Sequence, residues 1–304
     1  MSAIIINVQG GVGKHVSFTG LIPVIAEKYD TIYINTPYPD IFIGSPYITE
    51  VNPRMDTEFY KNLMKKDSTK IVSTDPYDQE EFIKKRIHLL DMWAKMCDVE
   101  IESGMDLKPK MFIGTEREKY ALDSVMHDLK KNTKEKYILI QLNGGQSPHN
   151  FEQNGNTSFN FVDEQMKRAY PFDYYVELVK GLKLMYPNHT IIRYGLSNEP
   201  MPSALNDLVA TIHPAVHYKN YQFMAEDAEK IVCIDSSLQH IVAGVKKAVV
   251  IWGETAPEHF GYNIHENIRL ESNEETQPYA RMLGPSTGKI EFPKPEDVLN
   301  LVKR

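Results

Sequence analysis

Apolar residues in this chain gather in short unbroken runs, most of them closed by a polar or glycine turn, and strict alternation is rare. Ile4-Ile5-Ile6-Asn7-Val8 is such a run. Successive β-branched positions predict a strand covered on both faces, as in a parallel sheet. It passes into Gly10-Gly11-Val12-Gly13, after which a helix is predicted over Phe18 to Tyr29 and a second strand over Thr31-Ile32-Tyr33-Ile34-Asn35. Strand, glycine turn, helix, strand opens a right-handed βαβ unit. Phe82, Ile87, Leu90, Trp93 and Met96 recur at helical spacing and predict an amphipathic helix over about 79–98.

The same grammar restarts near residue 136. Tyr137 to Leu142 reads as a buried strand ending in Asn143-Gly144-Gly145, and the polar stretch 146–169 reads as a loop. Pro171 precedes a helix, where proline is a normal start signal. Further strands are predicted over Thr190 to Gly195, Ile231 to Asp235 and Ala248 to Gly253, and a last helix over Pro295 to Val302. The expectation is an α/β chain of two Rossmann-like domains with parallel sheets, 1–133 and 134–290, followed by a C-terminal helical segment, 291–304.

Composition narrows the classes. The 304 residues are 42% hydrophobic and 25% charged, which suits two ordinary globular domains and excludes wholesale disorder. The two cysteines, Cys97 and Cys233, are far apart and in no metal-ligand spacing, which argues for a reducing compartment and against a disulfide scaffold or a zinc site. The N-terminal stretch has no basic leader, and no segment approaches the roughly 20 apolar residues of a membrane span, so a soluble cytoplasmic protein is expected. A net charge of −7 gives no general attraction to nucleic acid or anionic lipid. Lysines nevertheless cluster locally at Lys61, Lys65, Lys66 and Lys70, then at Lys84, Lys85 and Arg86. They read either as solvated helix faces or as a patch for an anionic partner.

The glycine turn has three readings. Glycines let a backbone approach a ligand closely, and a following helix N-terminus offers free N–H groups to an anion. A P-loop needs glycine, four residues, then glycine-lysine and a hydroxyl for magnesium. Val8 stands at the first glycine position and His15 at the hydroxyl position, two departures from that motif. A tight turn without a ligand is the third reading.

Four segments, in order along the chain, resemble the lipopolysaccharide heptosyltransferase family. The first is Gly11-Val12-Gly13-Lys14-His15 with Thr19-Gly20-Leu21-Ile22-Pro23; the second is Tyr38-Pro39-Asp40-Ile41-Phe42 with Pro46-Tyr47-Ile48. The third is Ile140-Gln141-Leu142-Asn143-Gly144-Gly145 followed by Lys167-Arg168-Ala169-Tyr170-Pro171. The fourth joins Asp235-Ser236-Ser237-Leu238-Gln239-His240 to Val249-Val250-Ile251-Trp252-Gly253-Glu254-Thr255. The resemblance implies the GT-B architecture, two Rossmann-like domains facing across a cleft. It further implies an N-terminal domain for the acceptor, a C-terminal domain for a nucleotide-sugar, and a final helix packing back across the cleft. No metal or other cofactor is required in that picture, and the nucleotide-sugar is a co-substrate.

Negative charge grows on the departing diphosphate as a glycosidic bond breaks, so the donor site needs fixed hydrogen-bond donors and cations. By family position and chemistry these are Gly144, Gly145, Lys167, Arg168, Ser236, Ser237, His240, Gly253, Glu254 and Thr255, with Asp235 on sugar hydroxyls. Gly10, Gly11 and Gly13 form the acceptor-side loop. Ser236 and Gln239 also have the spacing of a capping box, and Trp252 reads as core. The family places an aspartate directly after the first glycine turn, where this chain has Lys14. An ordinary lysine is protonated and cannot accept a proton, so His15 and Asp40 join Lys14 as candidates for the catalytic machinery.

The expected activity is sugar transfer to a hydroxyl acceptor by metal-independent inverting displacement, with the hexosyl, pentosyl or heptosyl class open. The acceptor is a saccharide of the lipopolysaccharide type or, given the lysine clusters, a hydroxymethylated base in DNA. A P-loop-type ATPase and a non-catalytic GT-B sugar-nucleotide-binding protein are the alternatives.

Overall fold

The structure is a computed structural model that describes residues 2–53, 69–85, 87–102, 105, 107–133, 136–143, 169–195, 203–211, 218–253, 255–271 and 290–304. The chain divides into two compact units, Met1–Lys119 and Tyr120–Arg304.

The first unit is built on four parallel strands, β1 (Ala3–Asn7), β2 (Thr31–Asn35), β3 (Glu50–Asn52) and β4 (Thr69–Ser73), in the order β3-β2-β1-β4. Ile4, Ile5 and Ile6 are wholly buried, as a strand covered on both faces requires. The single helix expected over Phe18 to Tyr29 is two helices, α1 (Val12–Thr19) and α2 (Ile22–Lys28). The first starts directly after the glycine turn with Gly11 as its N-cap residue. Pro23 sits in the first turn of the second, where its missing N–H costs no helical bond. The helix expected over 79–98 is likewise two, α3 (Glu80–Lys85) and α4 (Leu89–Met96). His88 makes the break: its backbone is extended, and its Nδ1 accepts the Leu90 N–H at 3.2 Å to cap α4. Trp93 of α4 meets Phe18 edge-on at 5.2 Å and donates its indole N–H to the Thr74 carbonyl at 2.8 Å, which anchors the helix layer to the end of β4.

Gly44 has φ +93°, a left-handed backbone, and a Cβ there would lie 2.7 Å from the Cα of Gly114. Gly44→Ala therefore combines backbone strain with an immovable collision, and should cost roughly 2–4 kcal/mol. Urea unfolding checks this, with Gly11→Ala as the control, because a Cβ on Gly11 would meet nothing within 4 Å.

The second unit follows a helix that crosses the boundary, α5 (Glu116–Thr133). Its sheet has six parallel strands: β5 (Tyr137–Gln141), β6 (Thr190–Arg193), β7 (Val209–Thr211), β8 (Lys230–Ile234), β9 (Val249–Ile251) and β10 (Glu266–Ile268). Their order is β10-β9-β8-β5-β6-β7. The helices are α6 (Phe172–Met185), α7 (Tyr218–Asp227), α8 (Ser237–Val242), α9 (Pro257–Phe260) and α10 (Pro295–Val302). Pro171 is the N-cap residue of α6. The final helix, where the pattern predicts it, packs on α6 and buries Val298 and Val302 in the same core as Leu178, Val179 and Leu182. Tyr170 reinforces this closure by donating its hydroxyl to the Pro293 carbonyl at 2.8 Å. The stretch 146–168, expected as a loop, lies outside the described residues.

Candidate functional site

In the second unit the chain runs outward from β5 through β6 to β7, then returns to β8 and runs out the other way through β9 and β10. The reversal falls between β5 and β8. In an open doubly wound sheet the carboxyl ends of the strands flanking such a reversal border the ligand crevice. Two of the segments singled out in the sequence stand there: Gln141-Leu142-Asn143 at the end of β5, and Asp235-Ser236-Ser237 at the end of β8.

Their hydrogen bonds join three loops. The Asp235 carboxylate accepts from the Gln239 amide through Oδ1 and from the Thr255 hydroxyl through Oδ2, and all three residues are buried. Thr255 follows β9, so Asp235 ties the loop after that strand to the start of α8. The capping box does not form. Ser236 is the N-cap residue but its side chain makes no capping bond, and Gln239 turns to Asp235 instead. The cap comes from the neighbouring strand: Gln141 Oε1 accepts the Leu238 N–H at 2.8 Å, while its Nε2 donates to Ser237 Oγ at 3.4 Å. Gln141 carries no role in the sequence reading, yet a polar residue closing an otherwise apolar buried strand was a usable signal.

His240 is buried, with Nδ1 3.0 Å from the Tyr262 hydroxyl and the two rings edge-on at 5.6 Å. Tyr262 also meets His265 edge-on. His265 accepts the Ala248 N–H at Nδ1 (3.2 Å), so Nε2 carries the proton and donates to the Gln239 carbonyl at 3.0 Å. Burial lowers the His265 pKa to about 4, leaving the ring neutral near pH 7. Gly253 follows Trp252, whose ring is wholly buried and bonded to Asn267 Oδ1 at 2.9 Å, a core position. Arg193 ends β6 and is buried, next to Tyr194, which stacks edge-on against Tyr221 at 4.4 Å. A basic residue at the carboxyl end of a buried strand suits an anion, and it too was passed over in the sequence. Gly144, Gly145, Lys167, Arg168 and Glu254 lie outside the described residues.

The glycine turn of the first unit stands at the matching place, since the order β3-β2-β1-β4 reverses between β1 and β4. Gly10 has φ +96°, and the Lys14 stem lies across it. The Lys14 ammonium rests over the Tyr77 ring, 4.2 Å from its centroid. His15 is wholly buried. Its Nδ1 lies 2.9 Å from the Gly11 carbonyl oxygen and its Nε2 3.1 Å from that of Val8. The ring thus spans the turn from inside, with Tyr38 edge-on at 4.8 Å. Burial, helped by the Lys14 charge, lowers its pKa to about 4. Gln9 fastens the turn to the end of β4, its N–H donating to Thr74 Oγ1 at 3.1 Å and its amide to Ser73 Oγ at 2.9 Å. Gly11 is exposed and leads into Val12 and Gly13 at the start of α1. Asp40 is exposed in the short turn Pro39–Ile41, after β2.

A cavity of about 340 Å³ opens at the ends of β1 and β2, bordered by Asn7, Gln9, Gly10, Asn35, Thr36 and Pro53. This geometry does not favour a P-loop, because the position that would hold a magnesium hydroxyl is filled by the buried His15 imidazole. Of the lysine cluster, Lys70 lies in β4 paired with Asp98. Lys61, Lys65, Lys66 and Arg86 fall outside the described residues. Among the described residues no group of three or more His, Cys, Asp or Glu side chains is arranged to hold a metal ion, and no helix is long and apolar enough to cross a membrane.

Neither a protein-family model nor a curated protein matches the sequence. Solved structures do match in fold. The chain is similar to a glycosyl transferase of family 9 from Veillonella parvula DSM 2008, at 12% identity, with 100% of this chain and 97% of that one covered and a TM-score of 0.64. It is similar to the E. coli ADP-heptose LPS heptosyltransferase II at 12% identity, covering 99% and 97%, with a TM-score of 0.61. E. coli heptosyltransferase WaaC with ADP-2-deoxy-2-fluoro heptose matches at 11% identity, covering 92% and 97%, with a TM-score of 0.50. The chain therefore has the two-sheet α/β fold of the GT-B glycosyltransferases, shared with the family 9 and heptosyltransferase structures over essentially its whole length.

Proposed function

We propose that this chain is a glycosyltransferase whose second unit holds a nucleotide-sugar and whose first unit holds a hydroxyl acceptor. The observation that carries this reading is the Asp235 network at the switch point, where a buried carboxylate fastens the loop after β9 to the start of α8. A carboxylate has about four acceptor sites. Two serve Gln239 and Thr255, and the others suit sugar hydroxyls.

In the inverting reaction a bond forms from the acceptor oxygen to the anomeric carbon as the bond from that carbon to the diphosphate breaks. The electron pair leaves with the diphosphate, and the acceptor proton goes to a base. Backbone N–H groups at Gly253 and Thr255, after β9, are the candidates to meet the growing negative charge. His15, enclosed between the Gly11 and Val8 carbonyls and neutral, donates its one N–H to one of them, and so serves to hold the turn and not as the base. Asp40, exposed in the short turn Pro39–Ile41 that follows β2, takes that role. One fold neighbour is an ADP-heptose LPS heptosyltransferase and another holds ADP-2-deoxy-2-fluoro heptose, so ADP-sugars are the first donors to try. The non-catalytic reading rests on Lys14 at the place where the family has an aspartate. It is separated from the enzyme by turnover.

Thermal unfolding of the full chain with ADP-, GDP-, UDP- and CMP-sugars tests the proposal. One nucleotide-sugar at a hundred times its Kd should stabilise the fold by about 2.7 kcal/mol. Asp40→Asn should keep that stabilisation and lower turnover by roughly 10²-fold. Stabilisation by ATP and magnesium alone would overturn the reading.

A further inference from the structure

We infer that Tyr262 is a positioning residue of the second unit: its hydroxyl holds the His240 ring in the form whose Nε2–H meets the diphosphate of the donor. What the ring meets rests on the transferase reading; how the ring is held does not. His240 lies on α8 three residues after Ser237, on the same face of that helix. Helical side chains lean back over the preceding turn, which directs this ring toward the end of β8 and the crevice. A ring nitrogen there serves an anion only as N–H. Which nitrogen carries the proton is set by the partner of the other.

That partner is on the page. The Tyr262 hydroxyl lies 3.0 Å from His240 Nδ1, and the two rings meet edge-on at 5.6 Å. A phenol, with a pKa of about 10, is far more acidic than the N–H of a neutral imidazole. It therefore donates to Nδ1 and leaves the ring proton on Nε2. Tyr262 is itself held from behind. Its carbonyl accepts the His265 N–H at 3.1 Å and the Asn267 amide at 3.1 Å, and Asn267 Oδ1 accepts the Trp252 indole N–H at 2.9 Å. Tyr262 is thereby tied to β10 and to the residue that follows β9. Its ring also meets His265 edge-on at 5.7 Å, and His265 donates to the Gln239 carbonyl of α8 at 3.0 Å. The connection between β9 and β10 thus grips α8 twice, at Gln239 and at His240. Phenylalanine would give the same edge-on packing at this half-buried position; the hydroxyl is what reaches Nδ1.

Nitrogen NMR of the histidine-labelled full chain, with the His240 signals identified by their loss in His240→Gln, reads the tautomer without any donor. The ring proton should sit on Nε2 in the unaltered chain, and Tyr262→Phe should move a measurable share of it to Nδ1. Calorimetric titration with ADP, GDP and UDP reads the consequence. Tyr262→Phe keeps the ring, and should weaken the diphosphate that binds by about fivefold, the scale of one hydrogen bond. The amide of His240→Gln presents its N–H without help from Tyr262, so in that background Tyr262→Phe should change affinity by less than about twofold. A proton on Nδ1 in the unaltered chain overturns the inference, as does a tautomer indifferent to Tyr262→Phe. A Tyr262→Phe penalty of the same size in both backgrounds overturns it too, because the tyrosine would then act through its own packing. If a diphosphate binds while Nδ1 carries the proton, the transferase reading stands and this one fails. If the tautomer shifts as expected but none of the three binds, Tyr262 holds the ring and the transferase reading fails.

Discussion

Replacing Asp235 with alanine should lower sugar transfer by roughly 10²–10³-fold, the scale expected when a preorganised polar site loses one of its fixed groups. The effect has two sources. The carboxylate itself is lost as a partner for the donor. The Thr255 hydroxyl and the Gln239 amide, both buried, also lose the acceptor that holds them, so the loop after β9 is released. Leaving buried polar groups unpaired costs about 1–3 kcal/mol each, so the urea midpoint should fall as well. Asp235→Asn separates the two sources, since it keeps the volume while converting one acceptor into a donor. It should retain more stability than the alanine variant but little more activity. Steady-state kinetics beside urea unfolding would check this, and an alanine variant that turns over at the unaltered rate would remove Asp235 from the site.

Acidification should destabilise both units in a defined window. His15 in the first unit and His265 in the second are each lowered from 6.5 to about 4 by burial. Between those values the unfolded chain takes up a proton that the folded chain refuses. Stability is therefore at its full value above pH 6.5 and is lost progressively as pH falls toward 4. The loss approaches about 3 kcal/mol for each ring. Urea midpoints measured from pH 7.5 down to 5 should fall steadily, and His15→Gln should flatten the dependence of the first unit only. A midpoint that stays constant across that range would mean that the two rings are protonated as readily in the fold as outside it.

How much of this was legible in the sequence follows from what burial does to residue choice. β1, β2, β5 and β8 are central strands, and their apolar runs mark them plainly. β3 and β4 escaped notice because they are edge strands: only Val72 of β4 is buried, and β3 has no buried position. The division of the first long helix was legible after all, because Gly20 weakens a helix and Pro23 is accommodated only in a first turn, so the pair marks a break that the apolar spacing alone runs across. The segments at the switch point of the second unit were recognisable one by one, but their meeting was not. The bond from Gln141 to Leu238 spans 97 positions, and that from Thr255 to Asp235 depends on strand order. His15 shows the opposite case. Beside a glycine turn a histidine reads as chemistry, and only its enclosure between two carbonyls reveals a staple.

The seat of α10 on α6 bears on how the second unit is assembled. Tyr170 and Pro293 are 123 positions apart, and Tyr186 and Val302 are 116 apart, yet each pair is hydrogen-bonded in the finished core. Contacts of such long sequence separation are slow to form, because the entropy of closing the intervening chain is lost before any of them is made. The sheet of the first unit is complete within residues 3–73 and does not wait for them. During synthesis the part of α6 that α10 covers stays open until α10 is made, while β5, already made, can cover the rest. In that interval an apolar surface is exposed that the finished fold buries.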